Sequence, residues 1–199
     1  MVLPNQLTVM RIILTPIFLW LFLSSDVNMN IAGVVVFLIA ALTDWYDGWL
    51  ARKYNYITDW GKFLDPLADK ILTSTAFIGF VIIGKLELWM VLIIIFRDFS
   101  VTGIRIYAEI KKVGFNTSFV AKVKTFVQMV FLYFLLLLYL LEKLNIDNQT
   151  IRDVLFFFNH SSAIYWTMYA ITLLTLYTLI DYFVYNKTLI FKFKKNETK

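Results

Sequence analysis

The chain has 199 residues, 60% of them apolar and 18% aromatic, a formal net charge of +5 and no cysteine, with a mean hydropathy of +0.70. That much apolar side chain would leave a soluble domain of this size with a greasy exterior, so an integral membrane protein is expected. The lack of cysteine excludes disulfides, thiol catalysis and cysteine-ligated metals, and no nucleic-acid partner is expected.

The N-terminal stretch MVLPNQLTVMRIILTPIFLWLFLSS has the apolar run of a secretory leader but no clustered basic residues, and several more such runs follow it. It reads as a retained first helix with an amphipathic opening. Apolar runs are centred on 12–24, 31–43, 71–84, 86–96, 126–141 and 161–180. Several fall short of the roughly 20 residues that cross a bilayer. Each helix therefore has to include a polar end, which lies in the headgroup zone or faces a shared cavity. The predicted helices are 5–24, 30–53, 61–83, 86–111, 117–141 and 161–186. The expected fold is an all-α integral membrane domain of six transmembrane helices covering 1–199, without internal repeats.

Ser24, Ser25 and Asp26 end the first helix, Gly84 and Lys85 form a tight reversal, and 142–159 is the longest polar connection. Pro16 is expected to kink the first helix. Pro66 is expected near the start of the third, where its missing N–H matters least. The lone His160, in the polar patch NHSS, reads as a loop residue. With an even number of spans both termini share a side, and Lys and Arg divide 15 against 3 in favour of that side, leaving Arg97 inside the fourth helix. The positive-inside rule makes it cytoplasmic, and the basic-apolar tail KTLIFKFKKNETK suits contact with anionic lipid.

The chemistry concentrates between Asp44 and Asp69. Asp44 and Asp47 share one helix face, and Asp65 and Asp69 share another. Both pairs fall at the cytoplasmic ends of consecutive helices, so the four carboxylates can aim at one point. Carboxylates beside lipid are costly, about 2.5–3.5 kcal/mol each at mid-bilayer. A hard divalent cation removes that cost, and all-oxygen ligation suits Mg²⁺ or Mn²⁺. Gly48, Ala51 and Gly61 leave bare backbone for a ligand, and Arg52 is placed to grip a phosphate. Solvated helix ends are the plainer reading of any one aspartate; the matched faces argue against it for the set.

Residues 44–69 read D-x2-D-G-x2-A-R-x8-G-x3-D-x3-D with all eight fixed positions filled. In this the chain resembles the CDP-alcohol phosphotransferases, six-helix membrane enzymes, usually dimers, that join an alcohol to a phosphatidyl group and release CMP. The resemblance implies that Asp44, Asp47, Asp65 and Asp69 ligate two divalent metals and that Asp69 also takes the proton of the incoming hydroxyl. It further implies that Gly48, Ala51, Arg52 and Gly61 line the CDP site, with Thr58 near the cytidine.

The signature does not separate acceptors. PNQLTVMRIILTP, RDFSVTGIRIYA and AKVKTFVQM resemble segments of the bacterial phosphatidylglycerophosphate synthase subfamily, with Ala121 where a glycine is common. Arg105, Lys122 and Lys124 lie at cytoplasmic helix ends and form a cationic pocket suited to a dianionic acceptor phosphate. Glycerol 3-phosphate and CDP-diacylglycerol are therefore the expected substrates, in a bacterial cell membrane and in a homodimer. A sibling enzyme using phosphatidylglycerol, inositol phosphate or serine is the alternative. A small cation-coupled carrier is a more distant one, since carrier sites lie near the midplane at a repeat interface. Asn5, Thr8 and Arg11 recur at three-residue spacing, a polar face that either reaches the nucleotide or anchors in headgroups, the latter slightly preferred. Arg97 and Asp98 read equally as a buried or interface pair and as part of the site. Asp181 is expected to pair with a cation.

Overall fold

The computed structural model describes the backbone of residues 3–54, 59–111, 118–144 and 146–185, and the side chains within them except those of 3–7, 44–54, 59–63, Phe183 and Tyr185. Seven helices form among these residues: α1 (Leu3–Phe22), α2 (Val27–Tyr54), α3 (Asp59–Ile82) and α4 (Leu88–Ile110) in the first part of the chain. After them come α5 (Phe119–Leu144), α6 (Gln149–His160) and α7 (Ala163–Tyr185), and no strand is present among the described residues. Six of these match the predicted helices to within three residues at each end. Two of them, over Phe119–Leu144 and Ala163–Tyr182, are long and apolar enough to cross a membrane, with shorter apolar helices over Thr8–Phe22 and Val27–Thr43.

The six long helices close a ring. α1 lies against α2 and α3, α3 against α4, α4 against α7, α7 against α5, and α5 against α2. At one end the ring is filled by an aromatic tier. Phe22 of α1 lies tilted 4.4 Å from Tyr139 of α5 and edge-on 5.3 Å from Phe80 of α3, and Phe18 sits 5.2 Å from Phe37 of α2. Leu72, Phe77, Met90, Ile94, Leu132 and Met168 continue this core. The exterior is apolar as well, with Trp20, Phe96 and Phe126 all at least 69% exposed. Apolar side chains inside and outside are what a lipid-facing bundle requires.

Helix ends in such a setting need internal partners for their free carbonyls. The Asn30 amide lies 3.3, 3.1 and 2.8 Å from the carbonyls of Leu21, Phe22 and Ser24, and the Tyr139 hydroxyl donates to Phe22 O at 3.0 Å. The end of α3 closes differently. Gly84, at φ 75°, lets its own N–H reach Val81 O and the Lys85 N–H reach Phe80 O, both at 2.9 Å. From that turn Lys85 Nζ donates to Glu142 at 3.1 Å and to Asn159 at 2.7 Å, tying α3 to α5 and α6.

Three expectations need correction. The 142–159 connection contains α6, started by the Asn148 side chain accepting from the Thr150 and Ile151 N–H groups at 2.9 and 3.4 Å. Its half-buried face of Ile151, Leu155 and Phe158 repeats at helical spacing, and Phe158 packs 5.0 Å from Phe134. His160 is therefore the last residue of a helix, exposed and stacked 4.1 Å from Phe156. Pro66 lies well inside α3 rather than near its start, because the helix begins at Asp59.

α1 and α2 touch most tightly at Gly33, where an added Cβ would stand 2.9 Å from the backbone nitrogen of Phe22. Gly33→Ala is expected to destabilise the purified protein by about 1–3 kcal/mol, because backbone rather than a pliable side chain must move. Gly103→Ala, which meets nothing within 4 Å, serves as the control. Equal thermal midpoints for the two variants in detergent would contradict this packing.

Candidate active site

α3 carries the carboxylates into the polar end of the ring. Asp65 and Asp69, one turn apart, are both partly exposed. The hydroxyl of Thr8 from α1 donates to Asp65 Oδ1. Thr8 and Arg11 are buried, at 0% and 1% exposure. The polar face of α1 is thus turned into the protein and does not anchor in headgroups. Asn5 lies on the same helix, with its side chain outside the described residues.

Two cavities share part of their walls here, and Asp69 lines the larger of them. The larger, about 230 Å³, is walled by Pro66, Asp69 and Lys70 of α3 and by Thr102, Arg105, Ile106 and Glu109 of α4. The smaller, about 120 Å³, shares Lys70, Thr102 and Arg105 and adds Arg97, Val101, Ala121, Thr125 and Tyr182. Lys70 and Arg105 therefore border both spaces, and Arg97 the smaller. Lys70 Nζ stands 3.7 Å from Asp69 Oδ2.

Behind this wall lies Asp98, 4% exposed. Its Oδ1 accepts from Lys124 Nζ of α5 at 2.5 Å and from Arg97 Nη1 at 3.2 Å, and its Oδ2 accepts from Gln128 Nε2 at 3.2 Å. Lys70 Nζ is 3.9 Å from the same Oδ2. A buried carboxylate requires such partners.

Of the expected acceptor residues, Arg105 borders both cavities. Lys124 is fully buried against Asp98, and Lys122 is exposed; neither borders the cavities. Lys70, Thr102, Thr125 and Tyr182 border them instead and were not expected to, while Arg97, for which a site role and a buried pair stood equal, both borders the smaller cavity and pairs with Asp98. The recurrence of Asp98, Thr102, Arg105 and Glu109 every three or four residues along α4 was the available signal. Ala121, where a glycine was expected, forms part of the smaller cavity's wall. Asp181 Oδ2 is buried and has no hydrogen-bond partner among the described residues.

The donors suit a hard divalent cation in kind, two carboxylates on one face at the rim of an open space. Asp44, Asp47, Gly48, Ala51 and Arg52 lie on α2 and Gly61 on α3, with side chains outside the described residues, and Thr58 lies outside them altogether. Among the described residues no three carboxylate or imidazole donors converge.

The family described as CDP-alcohol phosphatidyltransferase matches residues 1–177. A CDP-diacylglycerol–glycerol-3-phosphate 3-phosphatidyltransferase of Bacillus subtilis is 41% identical over 147 residues, covering 68% of this chain and 76% of its own. One of Rickettsia typhi is 38% identical over 135 residues, covering 68% and 76%. A probable phosphatidylglycerophosphate synthase of Mycobacterium tuberculosis is 39% identical over 131 residues, covering 64% and 62%.

A cation held by these carboxylates stabilises the folded protein by mass action. Mn²⁺ or Mg²⁺ at a hundred times its dissociation constant is expected to add about 2.7 kcal/mol. In a thermal-shift measurement Asp65→Asn and Asp69→Asn should each lose most of that gain. An unchanged shift in both variants would exclude the pair as ligands.

Proposed function

The chain belongs to the CDP-alcohol phosphatidyltransferase family, and on that premise we propose that it transfers the phosphatidyl group of CDP-diacylglycerol to glycerol 3-phosphate, releasing CMP. The observation that carries the acceptor is the pair of cavities that share Lys70 and Arg105 in their walls, the larger lined by Asp69 and the smaller by Arg97. A dianionic phosphate can accept from several cations there at once, whereas serine brings a single carboxylate together with an ammonium that these cations repel. The names of the relatives agree with this choice among acceptors.

In this reading the acyl chains of CDP-diacylglycerol lie in the membrane and its nucleotide lies along Gly48, Ala51, Arg52, Thr58 and Gly61. Asp44, Asp47, Asp65 and Asp69 would hold two divalent ions, Mg²⁺ or Mn²⁺. When bound, such ions neutralise charge on the transferring and leaving phosphates. Thr8 orients Asp65 through its hydroxyl. Arg105, Lys70 and Arg97 hold the acceptor phosphate and so bring its 1-hydroxyl toward Asp69. Asp69 accepts the hydroxyl proton as the oxygen bonds to the phosphorus carrying diacylglycerol. The bond from that phosphorus to the CMP oxygen breaks, and CMP leaves. The chain offers no cysteine, and direct displacement requires no covalent enzyme intermediate.

The membrane arrangement belongs to the same proposal: six spans, both termini and the carboxylate end cytoplasmic, and a homodimer in the bacterial cell membrane. It is supported by the charge division of 15 against 3 and by Lys85 and Asn159 meeting at the end of the ring away from Asp69.

Purified protein with Mn²⁺ or Mg²⁺, CDP-diacylglycerol and labelled glycerol 3-phosphate should yield labelled lipid and an equal amount of CMP. Label entering lipid from serine or inositol phosphate instead would overturn the acceptor, and a protein that moves cations without releasing CMP would be a carrier. Asp69→Asn should lower kcat by at least about 100-fold. Arg105→Gln should raise KM for glycerol 3-phosphate about tenfold, with KM for CDP-diacylglycerol little changed.

A further inference from the structure

Asp98 carries more than a buried charge needs. Lys124 alone would neutralise it, at 2.5 Å, yet Arg97, Gln128 and Lys70 also converge on its two oxygens. One negative charge thus faces three positive ones, and two of those three cations border the smaller cavity. Arg97 is the informative one. It is 5% exposed and held only through Nη1, while its Nε and Nη2, both buried, have no hydrogen-bond partner among the described residues. Nε and Nη2 form the guanidinium edge whose parallel N–H groups match two oxygens of a phosphate. A buried donor pair left unmatched is unfavourable until a ligand supplies acceptors.

We infer that Asp98 is a positioning residue for the acceptor. Lys124 and Gln128 hold its carboxylate from α5. The carboxylate holds Arg97 by one nitrogen at the wall of the smaller cavity, and the unpaired Nε–Nη2 edge, closed off in the free protein, meets the acceptor phosphate when the guanidinium turns into that cavity. It also keeps Lys70 between itself and Asp69, where the ammonium borders both cavities. Lys124, fully buried, acts on the acceptor only through Asp98. This inference rests on the reading of the two cavities as the acceptor site. The rival explanation is an ion pair that merely holds α4 and α5 together.

The two differ in a paired substitution. Asp98→Asn alone strands the Lys124 ammonium and is expected to lower the thermal midpoint. Asp98→Asn with Lys124→Met removes one charge of each sign at similar volume, leaves the new amide oxygen to accept from Arg97 Nη1, and should recover part of that midpoint. If Asp98 only stabilises, the recovered double variant also recovers its kinetics. If it positions, KM for glycerol 3-phosphate stays raised by about tenfold or more while KM for CDP-diacylglycerol stays within about twofold, the loss expected of a misdirected charge-assisted contact. Gln128→Leu leaves every charge in place and removes only one hold on Oδ2. It should raise the same KM by roughly threefold and serves if the double variant does not fold. Wild-type KM for glycerol 3-phosphate in a folded double variant, or in Gln128→Leu where that is the only folded one, would overturn the inference. Failure of the wild-type protein to use glycerol 3-phosphate at all would instead overturn the acceptor reading beneath it.

Discussion

The bond from Lys124 to Asp98 joins α5 to α4 at 2.5 Å with neither side chain more than 5% exposed. These helices are separated in the ring by α7, so the bond crosses the interior. Removing one partner of such a pair costs about 3–5 kcal/mol, which makes each residue a strong constraint on the other's place. The ring is therefore filled in two ways. Phe18, Phe22, Phe37, Phe80 and Tyr139 fill one end with rings, and a carboxylate with its cations fills the other. The two cavities lie at the ionic end.

Most of the helices were legible because apolar runs and polar breaks in lipid-facing chains are strong signals. Residues such as Gly84 and Lys85 mark their ends unambiguously. α6 was not legible in the same way. Its twelve residues mix Arg152, Asp153 and Asn159 with Phe156, Phe157 and Phe158, so by average polarity it passes for a loop. Only the Asn148 cap and the spacing of Ile151, Leu155 and Phe158 give it away.

Of the candidate site, the shared face of Asp65 and Asp69 on α3 was legible from their spacing, and the cations around the cavities were less so. Which lysines and arginines meet a cavity depends on helix rotation and on long side chains that reach several ångströms in either direction. Lys124 seemed a pocket residue because it sits at a helix end, but it turns inward to Asp98. Lys70 passed as an orienting charge, yet it stands between two carboxylates. Thr8 and Arg11 show the same limit, since a polar stripe does not say whether it faces headgroups or the protein.

The cap on α1 has a consequence for how the chain is made. Asn30 follows Leu21 by only nine residues, and its amide reaches three carbonyls at the end of the helix just completed. Gly33, one turn further on, lets the second helix lie directly on the first. The α1–α2 hairpin thus carries its own stopper and its own seam before α3 is synthesised. A nascent chain can close this hairpin early, while the Thr8 hydroxyl waits for Asp65 of α3 and the Phe22 carbonyl waits for the Tyr139 hydroxyl, more than a hundred residues later.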